Sequence, residues 1–161
     1  MIMNTEMKRM IGRVELIKRN EHIIRLNLEG LNKLFCPQFV NVHDCIIISD
    51  KPILLSDKQF LKVIKMHNDK TGYETCNTDT RVNDYIVDEI SDLEALAIAF
   101  MTIDIWSNKL KMLEPNSKFC FIIDCNDGYV TLRFHKVRAE ESGWLCNDID
   151  SYTEPIGYLV K

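Results

Sequence analysis

With 161 residues the chain supports one domain with a real core and is too short for two comfortable ones. Hydrophobic residues make up 46% and charged residues 27%, close to the globular average, which excludes a disordered chain. A net charge of −4 argues against a nucleic-acid binder working by general phosphate attraction and favours a basic partner.

The first residues hold no apolar run long enough for a signal peptide. The longest apolar run, Ala95 to Met101, falls far short of the ~18 residues of a membrane span, so a soluble cytoplasmic protein with no membrane partner is expected. Cysteines stand at 36, 45, 76, 120, 125 and 146. No Asn-x-Ser/Thr sequon and no Cys-x-x-Cys pair occurs, so they read as reduced thiols, with no cofactor or metal implied.

Residues 1 to 35 are Met-rich and basic. Ile24, Leu28, Leu31 and Phe35 suit one helix face, while Val14 to Leu28 is open to a hairpin around Asn20-Glu21. Pro37 breaks the pattern. Cys45 to Ser49 is a β-branched strand, and Pro52 to Leu55 is a second short apolar piece. Ser56-Asp57-Lys58-Gln59 is a capping box opening a helix to about His67. Asn68 to Asn83 is polar and reads as a surface loop or hairpin, followed by a strand at Tyr85 to Val87. Ser91-Asp92-Leu93-Glu94 is a second capping box. It opens a long helix over about 91–113 whose acids crowd the first turn and whose lysines sit in the last, the order the helix dipole favours. Ala95 to Met101 carries no charge, so this helix is expected to be covered nearly all round. Pro115 ends it.

A hairpin over 118–138 follows. Asp127-Gly128 is a two-residue turn with positive φ at both central positions, and it sets the register. Phe121 then faces Phe134 and Ile123 faces Leu132 on an inner side; Cys120, Ile122 and Asp124 face His135, Arg133 and Thr131 on the other. Trp144-Leu145 anchors the next loop with Trp144 as a core plug, Asn147 to Tyr152 is a single helical turn, and Ile156, Tyr158 and Val160 form a closing strand. The expected architecture is a single α+β domain over 1–161, an antiparallel sheet with the long helix packed on it.

The recognisable enzyme signatures are missing. The sharpest catalytic pattern is Cys120 opposite His135 with Arg133 two residues away, a thiolate–imidazolium pair with an oxyanion holder. The plain alternative is packing on a strand face. His43-Asp44-Cys45 offers three metal-ligand types, but neighbours on an extended chain point to opposite faces. Asp124 to Gly128 has acids at the wrong offsets for calcium and reads as a turn. Asp104 marks a helix rim. Arg133, His135 and Arg138 form a polar stripe fit to grip a carboxylate, or equally a solvated strand face. Acids gather over 79–94 and 140–154; the usual meaning is solubility, and the functional one is a surface made to cover a cationic site. Candidate partner-binding residues are therefore Arg133, His135, Arg138, Glu140, Glu141, Asp148 and Asp150.

Tyr129-Val-Thr-Leu-Arg-Phe-His-Lys-Val-Arg138, followed by Glu140-Glu141, Trp144-Leu145 and Glu154-Pro155-Ile156-Gly157-Tyr158, resembles the small immunity proteins found beside bacterial polymorphic or contact-dependent toxins. The likeness covers roughly the last 70 residues of the 161. It implies a cytoplasmic, non-enzymatic protein that binds one toxin domain and shuts it off, and it transfers no site residues. A small cysteine enzyme using Cys120 and His135, or a regulatory subunit of a larger assembly, are the alternatives.

Overall fold

The computed structural model describes residues 1–17 and 28–161. In chain order these form β1 (Ile2–Met3), α1 (Thr5–Ile17), α2 (Leu28–Phe35), β2 (Phe39–Val42), β3 (Cys45–Ile48), α3 (Asp57–Met66), α4 (Lys70–Asn77), β4 (Thr80–Arg81), α5 (Asp92–Leu113), β5 (Phe119–Asn126), β6 (Tyr129–Lys136) and β7 (Ile156–Val160). Ile24 and the Asn20-Glu21 turn lie outside the described residues.

α5 starts where its capping box requires. The Ser91 hydroxyl accepts from the Glu94 amide at 3.4 Å, and the Glu94 carboxylate accepts from the Ser91 amide at 2.8 Å. Its buried residues, Ala95, Leu96, Ile98, Ala99, Thr102, Ile103, Trp106 and Leu110, recur every three or four positions. That stripe packs on the sheet and on α1 and α2. The expected all-round cover is only partial: Met101 is 56% exposed, so the uncharged run crosses from the core side to the wet side. Trp106 donates its indole N–H to the Leu34 carbonyl at 2.8 Å, which satisfies the one polar atom of a buried ring and ties α2 to α5.

The main sheet is antiparallel in the order β1-β7-β5-β6-β4. Asp127 and Gly128 have φ of 49° and 80°, and the hairpin takes the register they dictate, with Cys120 opposite His135 and Phe121 opposite Phe134. Phe134 is the hub of the inner face, with the Phe39, Phe119, Phe121 and Trp106 rings 5.5–5.9 Å away. β2 and β3 form a separate ribbon closed by His43 and Asp44, both at positive φ. His43 and Asp44 are therefore a tight turn rather than extended chain, and Cys45 opens the strand after it. His43 stacks on Phe60 while Cys45 is buried beneath.

Three expectations need correction. Residues 68–83 hold α4 and β4 rather than a surface loop, and Thr71, Gly72, Tyr73, Glu74 and Thr75 are buried. No apolar period announces α4, because tertiary contacts and capping hold it. Residues 85–87 are not a strand: Val82–Tyr85 is a 3₁₀ turn and the strand lies earlier, at β4. The strand expected in the 45–55 region is β3, which pairs with β2, while the second apolar piece, Pro52 to Leu55, is not part of a strand. Trp144 is 43% exposed and plugs no core. Asp104 is exposed and paired with Lys161, as a rim residue should be. No described helix is long and apolar enough to cross a membrane.

Candidate functional site on the outer face of the sheet

Side-chain alternation puts Cys120, Ile122 and Asp124 of β5, Thr131, Arg133 and His135 of β6, and Ile156, Tyr158 and Val160 of β7 on the side away from α5. The chain after β6 returns across this face. Leu145, Ile149 and Tyr152 pack on Cys120, Ile122 and Ile156 and make a second small core. Two half-open cavities remain, of about 250 and 320 Å³. Trp144 and Leu145 line both, so this pair is the wall between them. The smaller one is bordered by Cys120 and His135 at its base and by Val137, Trp144 and Val160, all partly exposed.

The register thus brings the Cys–His pair to one cavity, but burial keeps both groups neutral. Desolvation pushes the Cys120 thiol up to about 11 and holds the His135 imidazole below its ordinary value. A neutral thiol beside a neutral imidazole is not an activated nucleophile. The nearest bond to the ring is from His135 Nδ1 to the Lys136 carbonyl, at 3.1 Å.

The expected polar stripe is engaged within the chain. Arg133 donates Nε to Asp79 at 2.7 Å and Nη1 to Asp124. Burial would lower its pKa, yet the two carboxylates hold it raised, so it stays charged. The Asp124 carboxyl lies above its ordinary value because burial outweighs Arg133. Arg138 makes a bidentate pair with Glu74, at 2.8 Å and 3.1 Å, and donates to the Asp44 carbonyl at 2.8 Å. Glu74 is fully buried, and its oxygens also accept the Ile46 amide at 2.7 Å and the Lys136 amide at 2.8 Å. One carboxylate therefore joins α4, β3 and β6. Sequence reasoning missed it, since a lone Glu in a polar stretch carries no signal of burial.

The acids divide in the same way. Glu141 accepts the Thr71 amide and hydroxyl at 2.8 Å each and so caps α4. Asp150 accepts the Thr5 amide at 2.8 Å at the start of α1, which lowers its pKa. Glu140 and Asp148 are exposed, and neither carboxylate has a partner among the described residues. The loop over 140–154 has five acids and no Lys or Arg. The outer face accordingly combines an apolar, aromatic-lipped hollow, lined by no acid, with a covering loop of net negative charge.

The fold and this face define an α+β domain with a half-covered sheet. The chain belongs to the Uncharacterized protein PM0498 family, whose model matches residues 2–160. No curated protein and no solved structure matches it.

Proposed function

We propose that the chain is a cytoplasmic binding protein that neutralises a basic toxin domain by covering it, as do the immunity proteins that its last 70 or so residues resemble. Trp144 carries this reading. It stands 43% exposed at the lip of a cavity, in a stretch of five acids and no bases. Partly exposed aromatics beside pockets are the usual anchors of protein interfaces, and complementary charge speeds encounter and rejects wrong partners. Glu140 and Asp148 supply free charge; Glu141, Asp150, Arg133 and Arg138 hold the loop and the strands in place.

The test is co-expression with the product of the neighbouring open reading frame, with recovery of a complex from lysate by a tagged copy. Neutralisation of growth inhibition and capture of one basic protein are expected. Trp144→Ala together with Glu140→Lys and Asp148→Lys should weaken binding by a hundredfold or more, about 2.7 kcal/mol. Growth inhibition that this chain leaves unchanged would overturn the proposal.

One observation favours the alternative of a small cysteine enzyme: Cys120 and His135 border the same cavity. It requires a thiolate, so Cys120 would have to alkylate faster at neutral pH than exposed Cys36, Cys76 and Cys146.

A further inference from the structure

We propose that the outer side of α3 is a docking surface for an anionic lipid bilayer. The inner side of this helix, Phe60 with Val63 and Ile64, packs on Val42, Cys45, Ile47 and Tyr73. The capping box fixes its start: Ser56 Oγ accepts the Gln59 amide at 3.4 Å and Gln59 accepts the Ser56 amide at 2.9 Å. With the inner side anchored, the helical period sends Lys58, Lys62 and Lys65 outward as a ridge, flanked by Leu61 on one side and Met66 on the other. All five are exposed, Leu61 by 63% and Met66 by 82%; Leu54, two residues before the cap, is 91% exposed.

The charge here runs against that of the whole chain. Residues 51–65 hold Lys51, Lys58, Lys62 and Lys65 against one acid, Asp57, in a protein of net charge −4. Asp57 lies beside His43, 3.4 Å from its Nδ1. None of the four lysines has an ion-pair partner among the described residues.

Lysine ammonium groups are hydrated point charges that ask for no directional partner, and the outer side of a helix is convex. A fluid anionic surface fits such a ridge, and leucine and methionine flanks can enter the headgroup boundary, as in interfacial helices. Single-strand nucleic-acid platforms rely on stacking aromatics, and this ridge has none. The contact is peripheral and needs no spanning helix. The sequence-based expectation of no membrane partner rested on the lack of a spanning run; folding gathers lysines spaced three and four apart onto one side.

Flotation with phosphatidylcholine vesicles, with and without about one-third phosphatidylglycerol, tests it. At low salt the protein should float with the anionic vesicles alone and be released in about 1 M salt, where the Debye length is about 3 Å. Lys58→Glu, Lys62→Glu and Lys65→Glu together should lower binding at least tenfold, and Leu54→Ser with Leu61→Ser should lower it less. These side chains are exposed, so thermal melts should match the parent; Lys→Gln versions at the same three positions serve if the reversals unfold. The proposal fails if anionic vesicles do not bind at low salt, if neutral vesicles bind equally, or if the lysine variants float unchanged. Retention on polyglutamate without flotation would assign this side to an acidic protein and overturn the lipid.

Discussion

Two buried ionisable residues set the strongest single-residue expectations. Glu74 neutralises Arg138 and receives two backbone amides, and Arg138 Nε already lacks a hydrogen bond where it is buried. Glu74→Ala would strip a buried guanidinium of its bidentate partner, leave only the more distant Glu141 and Asp44 carboxylates at 3.8 and 4.0 Å, and orphan two amides, at a cost of about 3–5 kcal/mol. Denaturant unfolding should record that loss, and Glu74→Leu with Arg138→Met should lose less than either change alone. His135 sets a pH dependence. Burial lowers its folded pKa below the ordinary 6.5, Arg138 adds to the effect, and the Lys136 carbonyl, Glu74 and Asp69 oppose it. The unfolded chain therefore binds the proton more readily, so the stability that His135 contributes is present above pH 6.5 and is lost as pH falls from 6.5 through the folded value. His135→Gln should flatten the melting temperature between about pH 7 and pH 5.5; an unchanged slope would show that His135 does not set it.

At the scale of elements, legibility followed local chemistry. α5, α3 and the β5–β6 hairpin are written in capping boxes, apolar period and one Asp-Gly turn, signals that act within a few residues. α4 is not, because its support arrives from elsewhere. Asp69 accepts the Gly72 amide at 2.7 Å, Glu141 caps from a loop about seventy residues on, and Glu74 pairs with Arg138. Gly72 lies in the stretch that read as a loop, yet it is there for space. A Cβ at this position would lie 2.1 Å from the His67 carbonyl oxygen, which is backbone and cannot step aside. Gly72→Ala should destabilise by about 1–3 kcal/mol although alanine is the better helix former, and helix propensity alone predicts the opposite sign. The candidate site divides similarly: the facing of Cys120 and His135 was legible from the turn, whereas their neutrality and the exposure of Trp144 depend on a loop whose path no local pattern records.

For the whole molecule, the decisive fastening joins the two ends of the chain. β1 pairs with β7, and Asn4, almost fully buried, makes four side-chain bonds, three of them across the junction. Its Oδ1 accepts the amides of Met7 at 2.9 Å and Ile156 at 3.1 Å; its Nδ2 donates to the carbonyls of Tyr152 at 3.3 Å and Glu154 at 2.6 Å. One side chain thus caps α1 and pins the stretch from Tyr152 to Ile156, which helps roof the outer face of the sheet. Asn4→Ala would strand two buried amides, costing about 2–4 kcal/mol, and would loosen that roof before the α5 core is disturbed. The two effects separate by experiment. In the parent protein Cys120 should alkylate slowly at neutral pH, because burial holds its thiol near 11. In Asn4→Ala, under conditions where far-UV ellipticity is unchanged, Cys120 should react at least tenfold faster while Cys125, on the α5 side, does not. Equal acceleration at both thiols would mean that the ends of the chain hold the entire domain together rather than the outer face alone.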